Sequence, residues 1–267
     1  MMVQYMPKPY VIRVSSEKGG VGKTTVSVNV ACALRGLKYK VLLVDTDIAT
    51  PSVGEHLGIR DIEKGYREIL KGEAKIEDVL FAYEPLDLKI VLGSSSQTAF
   101  NPSAEQITKF YEQITKLDYD FIVIDSPPGF FIEGPARFYD EVAIITTPDT
   151  TSCVSSARLA RICDKYRIKH RLVVNRSGYN SKFEMSTEEV EKMYGDVIYG
   201  MIPEDKIISE SLVRHQPAYI LNKSSPFSLA IEEICKGYTL RIGDPRPEPP
   251  PGRKGFFGAL AGVFGIK

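Results

Sequence analysis

The chain has 267 residues, of which 43% are hydrophobic and 25% are charged, which suits one large α/β domain better than two small ones. Lys and Arg together number 34, as do Asp and Glu, so the formal net charge is zero and provides no bulk basic field for nucleic acid. The sequence has no run of about 18 apolar residues, and residues 1–9 contain no apolar signal core, so we expect a cytoplasmic protein without a membrane span.

The cysteines favour reduced thiols over a metal site. Cys32, Cys153, Cys163 and Cys235 are scattered along the chain and form no C-x-x-C pair. This spacing argues against a zinc or iron–sulfur site within one chain, and it is typical of small buried apolar side chains in a reducing compartment.

Apolar runs rich in β-branched residues alternate with segments of helical spacing along the chain. The predicted strands are Tyr10–Ser15, Lys40–Asp45, Leu88–Leu92, Asp120–Asp125, Glu141–Thr147, Arg171–Asn175 and Val197–Ile202. The predicted helices are Val26–Leu34, Ser103–Leu117, Ser152–Tyr166, Thr187–Tyr194 and Pro226–Leu240. Such alternation predicts an α/β fold, a three-layer sandwich with a mostly parallel twisted sheet flanked by helices. Ligands are then expected beyond the carboxyl ends of the strands.

The most informative motif is a loop rich in glycine and lysine after the first predicted strand. Residues 18–25 read Lys-Gly-Gly-Val-Gly-Lys-Thr-Thr, the end of a phosphate-binding loop of the G-x-x-x-x-G-K-[ST] type. Glu17 replaces the first glycine of that pattern, and Lys18 adds a second lysine. Glycines let backbone N–H groups converge on phosphate oxygens at the start of the next helix. The predicted nucleotide-binding residues of the loop are Gly19, Gly20, Val21, Gly22, Lys23, Thr24 and Thr25.

Acidic residues at two other strand ends supply the carboxylates that a Mg²⁺-nucleotide site needs. In this scheme Lys23 reaches the β- and γ-phosphates and the Thr24 hydroxyl binds Mg²⁺. Asp125 follows an apolar strand and is the first candidate to hold the water shell of the metal. Asp45 and Asp47 follow another strand, and alternation would put both on one side of an extended chain. Asp47 is the candidate to orient or deprotonate the attacking water, although either aspartate could instead be a turn residue.

Taken together, these motifs resemble the MinD/ParA ATPases, P-loop NTPases of the SIMIBI type. The loop with two lysines is similar to the deviant Walker A loop of that family. Asp45-Thr-Asp47 resembles its switch I aspartates, and Asp125-Ser-Pro-Pro-Gly129 resembles its switch II segment. The likeness covers about residues 10–240 in order. Two further segments look most like the MinD branch, Ile144-Ile-Thr-Thr-Pro-Asp149 and Ile202-Pro-Glu-Asp205.

The resemblance implies an ATP-driven sandwich homodimer. In this family the lysine that matches Lys18 reaches the phosphates of the partner copy, as an arginine finger does, and the residue that matches Asp47 positions the lytic water. Catalytic roles therefore fall on Lys18, Lys23 and Asp47, and the Mg²⁺ ligands are expected among Thr24, Asp47 and Asp125. Asn175 matches the position that reads adenine, helped by Pro203, Glu204 and Asp205. Phe130-Phe-Ile132 is either core or a dimer or partner surface.

The sequence changes character after residue 242, which divides the chain into an ATPase domain at 1–242, a linker at 243–253 and a tail at 254–267. The linker is proline-rich and is expected to be extended. The tail resembles the short amphipathic helix with which MinD proteins contact membranes, and Phe256 and Leu260 share one side of its helical wheel. Its glycines weaken helicity, so packing on a protein surface and a disordered end remain alternatives.

Three functions are compatible with these patterns. The first is a MinD-like ATPase that acts as a spatial switch, with reversible binding to the inner face of the cell membrane and an unidentified protein activator or cargo. The second is a ParA-type DNA or cargo partition ATPase, which neutral charge and the lack of a basic C-terminal patch disfavour. The third is an Mrp-like iron–sulfur carrier, which residues 47–52 faintly resemble but whose cysteine pair is missing.

Overall fold

A twisted sheet with helices on both faces forms the frame of the protein. The structure, a computed structural model, describes residues 8–94, 100–129, 135–179, 182, 184–194 and 197–243. The strands are β1 (Tyr10–Ser15), β2 (Val41–Asp45), β3 (Leu80–Tyr83), β4 (Leu88–Val91), β5 (Phe121–Asp125), β6 (Glu141–Thr146), β7 (His170–Ser177) and β8 (Ile198–Pro203). The helices are α1 (Lys23–Gly36), α2 (Val53–Leu57), α3 (Tyr66–Lys71), α4 (Ile76–Val79), α5 (Ala104–Ile114), α6 (Thr150–Lys165), α7 (Thr187–Tyr194), α8 (Ile207–Arg214), α9 (Ala218–Leu221) and α10 (Pro226–Ile242).

The order of the strands places the phosphate loop at the middle of the sheet. The described strands pair in the order β3-β4-β2-β5-β1-β6-β7-β8, and every pair is parallel except β3 with β4. β1 lies between β5 and β6. Strands β2 to β5 lie on one side of it, and β6 to β8 lie on the other. The register of β2 on β5 sets Asp45 directly opposite Asp125. Two predicted acidic residues therefore meet at the carboxyl edge, where ligands bind in open α/β sheets.

Two apolar layers enclose the sheet. One layer lies between the first face of the sheet and the helices α1 and α10, and its buried side chains include Leu34, Phe227 and Tyr238. The other packs the opposite face against α5 and α6, with Phe110 and Leu159 among its buried side chains. Because both faces are covered, the inner strands are mainly apolar instead of alternating, with the buried Arg13 of β1 as an exception.

The sequence-based expectation of a parallel α/β fold is confirmed, with small differences at the ends of elements. All seven predicted strands and all five predicted helices are present, and β1 and α7 have the predicted bounds. The first helix begins at Lys23 instead of Val26, because Gly22 in a left-handed conformation is its N-cap. The helix predicted from Ser103 begins with Ser103 as its N-cap, and the Ser103 side chain accepts the N–H of Gln106.

Short elements were not predicted. They include β3, an antiparallel edge strand, and the helices α2, α3, α4, α8 and α9, which have four to eight residues each. Helices of this length are not stable by themselves, so tertiary contacts decide where they form.

The predicted linker beyond Gly243, the tail at 254–267 and the segment Phe130–Ile132 lie outside the described residues. The division into domain, linker and tail therefore stays a prediction. Within the described ranges no helix combines the length and the apolar character that crossing a bilayer requires.

Candidate functional site

The phosphate loop takes backbone conformations that its glycines make possible. Gly20 and Gly22 have φ values of 78° and 91°, in the left-handed region that side chains with a Cβ avoid. A Cβ on Gly22 would also collide with the side-chain amide of Asn175. The Cβ side of Gly19 and Gly20 faces open space. The loop is thus close-packed against the protein at Gly22 and open outward at the two preceding glycines, as an anion cradle needs to be.

A cleft of about 790 Å³ opens over this loop. Its lining includes Lys23, Thr24, Asp47 and Asp125, so the structure brings together the predicted phosphate and metal residues. A second cleft of about 550 Å³ lies between α3, α4 and α5, but its lining has no buried carboxylate. The predicted phosphate-binding and metal-binding side chains therefore lie in the first cleft.

Thr24 and Asp125 are in direct contact at the floor of the cleft. The Thr24 hydroxyl donates to Asp125 Oδ2 at 2.7 Å, and the Ser27 hydroxyl donates to Asp125 Oδ1 at 2.8 Å. The Ser52 hydroxyl lies 2.7 Å from Thr24 Oγ1. Sequence reasoning did not select Ser27 or Ser52. Ser27 lies one helical turn after Lys23, a spacing that could have identified it.

Asp45 and Asp47 perform different local tasks. Both oxygens of the buried Asp45 accept backbone N–H groups, from Asp47, Ser52 and Val53, each at 3.0 Å. Asp47 accepts the N–H groups of Ala49 and Thr50 and lines the cleft. β2 ends at Asp45, although the Thr46 N–H still donates to the carbonyl of Asp125, and the expectation that alternation places the two aspartates on one side of the chain stays a prediction.

The carboxylates of the site outnumber the nearby cations. Burial, and after it the neighbouring Asp125, raise the pKa of Asp45 to about 8. Burial also raises the pKa of Asp125, although hydrogen bonds from Thr24 and Ser27 oppose it. Burial lowers the pKa of Lys23, which the two carboxylates of Asp125 and Asp47 counteract. A cluster of hard oxygen donors with excess negative charge fits a divalent cation such as Mg²⁺.

Lys18 is directed away from the cleft. Its ammonium donates to Thr151 Oγ1 at 2.6 Å and lies 3.8 Å from Asp149 Oδ1, at the start of α6. The side chain is 38% exposed, unlike the buried Lys23. Glu17, the departure from the loop pattern, lies 3.8 Å from Arg158 on the same helix. The two lysines of the loop therefore lie in different surroundings, Lys23 in the cleft and Lys18 against α6.

The residues proposed to contact adenine are linked to the loop and to helices. The Asn175 amide donates to the carbonyl of Val21 at 2.8 Å, so it holds the backbone of the phosphate loop against β7. The Glu204 N–H donates to the carbonyl of Ser177, next to Pro203 at the end of β8. Asp205 accepts the N–H groups of Ile207 and Phe227 and so joins α8 to α10. Their contact with adenine stays a prediction.

Arg176 was missed by sequence reasoning. It follows Asn175, has a left-handed φ of 59° and lines the cleft. Its guanidinium lies 3.8 Å from Glu204. A positive φ at a residue other than glycine depends on its surroundings, so the sequence carries no signal for it.

Comparisons with known proteins agree with this geometry. A sequence model of the ParA family, described as an NUBPL iron-transfer P-loop NTPase, matches residues 9–238. The chain is 30% identical over 239 residues to a septum site-determining protein MinD of Oltmannsiellopsis viridis, covering 85% of this chain and 75% of that one. MinD of Pyrococcus horikoshii OT3 complexed with Mg-ADP has the same fold, with a TM-score of 0.78 at 24% identity over 88% of this chain and 98% of that one. The MinC:MinD complex of Aquifex aeolicus gives 0.77 at 26% identity, over 90% and 98%.

Proposed function

The chain belongs to the ParA family of P-loop NTPases, and we propose that it is a MinD-like, Mg²⁺-dependent ATPase that acts as a spatial switch. The observation that carries the proposal is the contact of Thr24 with Asp125 at 2.7 Å, beneath a phosphate loop with two lysines. The relatives named MinD support septum or other cellular positioning as the process that this switch serves.

Lys23, Thr24 and Asp125 are the groups that would hold the Mg²⁺-nucleotide. Lys23 begins α1 and lines the cleft, so its ammonium is available to the β- and γ-phosphates. The Thr24 hydroxyl and the Asp125 carboxylate are the donor set for the metal and its water shell. When bound, Mg²⁺ neutralises charge on the phosphate oxygens.

Asp47 is the better of the two candidates to position the lytic water. It lines the cleft, and its Oδ2 accepts a rotatable hydroxyl, that of Thr50, whereas both oxygens of Asp45 are occupied by backbone N–H groups. A carboxylate at this place can accept a proton from water or orient it for in-line attack. Asp47 is therefore assigned to the water, and Asp45 to holding the chain between β2 and α2 in place.

Lys18 supports an ATP-dependent homodimer. Its ammonium is partly exposed and bound to α6 of its own copy, so it does not contribute to its own cleft. A second copy facing this edge would receive that charge at its phosphates, where it stabilises the transferring group. Assembly of the catalytic site from two copies makes dimerisation and hydrolysis interdependent.

Reversible membrane contact and a protein partner complete the proposal. The tail at 254–267 carries six large apolar side chains and basic residues that suit an anionic lipid surface, which implies the inner face of the cell membrane as the location. A dimer presents two such tails, which strengthens weak binding without new contacts. The MinC:MinD complex of Aquifex aeolicus makes a protein partner a reasonable expectation for this chain.

Iron transfer is the second candidate, because the matching family model is described by that activity. The four cysteines argue against it. Cys32 and Cys235 are buried in the core layer under α1 and α10, whereas Cys153 and Cys163 are buried on the opposite face of the sheet. Burial raises the pKa of each thiol, which disfavours the thiolate that binds iron.

The cross-dimer role is tested by exchanging each loop lysine for alanine. Lys18→Ala is expected to abolish hydrolysis and MgATP-dependent dimerisation while leaving most of the ATP affinity, because Lys18 lies outside its own cleft. Lys23→Ala should lose ATP binding itself. Lys109→Ala, at an exposed position of α5, serves as the control. Isothermal titration, phosphate release and size-exclusion chromatography give the three readouts, and unchanged turnover in Lys18→Ala would refute the role.

Membrane contact is tested by co-sedimentation with vesicles that contain anionic lipid. We expect the full chain to pellet with MgATP and to stay in solution with MgADP. Deletion of 254–267 should abolish pelleting and leave hydrolysis in solution unchanged. Equal pelleting of the deletion variant would reject the tail as the contact, and retardation of plasmid DNA by the full chain would favour a partition ATPase instead.

A further inference from the structure

Two side chains tie the segment around α2 to the end of the phosphate loop. The Ser52 hydroxyl lies 2.7 Å from Thr24 Oγ1, and His56 Nε2 lies 3.3 Å from Thr25 Oγ1. Both Ser52 and His56 line the nucleotide cleft. The helix that follows the Asp47 turn is thus in contact with both threonines of the loop.

The hydrogen bonds of His56 determine which ring nitrogen carries the proton. Nδ1 lies 2.9 Å from the carbonyl of Ser52, which can only accept, so Nδ1 is the donor. In the neutral imidazole Nε2 is then an acceptor for the Thr25 hydroxyl. His56 therefore bridges the last residue of the phosphate loop to the backbone at the start of α2.

Nucleotide binding should affect the Ser52–Thr24 contact and the His56–Thr25 contact differently. Thr24 already donates to Asp125, and its hydroxyl is the one assigned to the metal, so its contact with Ser52 competes with the metal. The Thr25 contact with His56 has no such competitor in the metal set. His56 can keep α2 attached to the loop after Thr24 has exchanged its partner.

The position of α2 is transmitted to the Asp47 turn by Asp45. The Asp45 carboxylate accepts the N–H groups of Ser52 and Val53 at one end of the turn and that of Asp47 at the other. On its far side α2 is held by His215, whose Nδ1 donates to the carbonyl of Glu55 at 2.8 Å. A shift of α2 at its His56 contact is therefore passed to Asp47, because these carboxylate contacts join the two.

We propose that His56 is a positioning residue that couples the nucleotide-bound phosphate loop, through α2 and Asp45, to the place of Asp47 in the cleft. The inference rests on the proposed ATPase function and adds to it a residue that belongs neither to the predicted phosphate-binding residues nor to the predicted metal ligands. Its loss changes the rate of hydrolysis and leaves the binding of nucleotide nearly intact.

Kinetics of an isosteric pair test the coupling. His56→Leu keeps the bulk and removes both hydrogen bonds, whereas His56→Gln keeps a polar group within reach. We expect Leu to lower kcat about 3- to 10-fold, the loss typical of one or two hydrogen bonds, with KM for ATP within twofold of wild type. Gln should restore at least half of the wild-type kcat. His170→Gln, at the amino edge of the sheet, is the matched control and should behave as wild type.

Hydrogen exchange of the peptide that covers residues 52–59 provides a second readout. MgATP should slow exchange in this peptide in the wild type and in His56→Gln, but not in His56→Leu at saturating nucleotide. A kcat and a protection pattern in His56→Leu equal to wild type would overturn the inference and leave the ATPase proposal standing, as would a KM that rises as much as kcat falls. A wild-type chain that neither binds nor hydrolyses ATP would overturn both.

Discussion

Two fully buried carboxylates lie at opposite edges of the sheet and have opposite electrostatic surroundings. Glu141 begins β6 at the amino edge, where Arg241, Arg171 and Lys169 approach its Oε2 and the Tyr10 hydroxyl donates to it. Asp125 ends β5 at the carboxyl edge, where the buried Asp45 lies opposite it, its donors are hydroxyls and Lys23 is a nearby cation.

The difference separates a structural acid from a functional one. At the amino edge the negative charge is already neutralised, and the aromatic rings of Tyr10, Tyr199 and Tyr238 pack around Arg241 and close the cluster. At the carboxyl edge the charges remain in excess, so the fold itself is less stable there until a cation binds. Buried groups whose pKa is strongly shifted concentrate at functional sites for this reason.

The largest effect is expected from removing the charge of Glu141. Glu141→Gln leaves three cationic side chains beside a neutral amide, and breaking a buried ion pair is strongly destabilising. We expect the free energy of unfolding to fall by about 3 kcal/mol, with hydrolysis by the folded protein within twofold of wild type. Urea denaturation at pH 7 measures it, with exposed Glu188→Gln as the control. A loss below about 0.5 kcal/mol would contradict the structural role.

The same exchange at the other edge should produce the opposite pattern. Asp125→Asn keeps its contacts with Thr24 and Ser27, whose hydroxyls can rotate, and it removes one of several like charges. We expect MgADP affinity to fall about 10- to 100-fold and the unfolding free energy without nucleotide to change by less than about 1 kcal/mol. Titration calorimetry with and without EDTA measures it. Equal MgADP affinity in both proteins would remove Asp125 from the metal set.

A pH dependence of stability near neutral pH is expected from Asp45 at the carboxyl edge. Burial and Asp125 raise the pKa of Asp45 to about 8, above its value in the unfolded chain. Between about pH 5 and 8 the folded state therefore holds more protons, so the unfolding free energy without nucleotide falls as pH rises, by up to about 1.4 kcal/mol per pH unit. Urea denaturation across this window should show a weaker slope in Asp45→Asn than in the wild type.

Saturating MgADP provides the check on this pH prediction. A bound cation favours the ionised form of Asp45, so the pH slope of the wild type should flatten and MgADP affinity should rise with pH up to about 8. A slope that Asp45→Asn leaves intact would assign the titration to another group.

The strands and the phosphate loop could be predicted because their signals are local. An apolar run followed by an aspartate predicted both β2 and β5, and the parallel topology then required their ends to meet. The glycine pattern at residues 18–25 predicted the conformation of the loop. In these cases short stretches of sequence determine the structure without help from distant residues.

The remaining parts of the site depend on contacts between distant residues. The Glu141 cluster joins residues that are far apart in the sequence. Tyr10 lies 131 positions from Glu141, and Arg241 lies 100 positions from it. α2 has five residues, and Asp45 and His215 hold it from either side. The contact of Lys18 with α6 also depends on a distant residue, Thr151, 133 positions away. Such positions carry no local pattern, so only the folded structure identifies them.

A smaller effect is expected at Asp149, an acid at the carboxyl edge that is neutralised locally. Burial by itself would raise the pKa of Asp149, but hydrogen bonds from Ser152, Thr147 and Thr151 outweigh it and lower the pKa. Asp149 is the N-cap of α6, so Asp149→Ala should cost about 1 kcal/mol at pH 7, whereas Asp149→Asn keeps the cap and should cost a few tenths. Because the folded pKa is lowered, the contribution is present above the unfolded value and is lost as pH falls, so the penalty of Ala should shrink near pH 3. Urea denaturation at both pH values measures it. A penalty that Ala and Asn share would show that Asp149 stabilises the fold by its charge, as Glu141 does, and not as a cap.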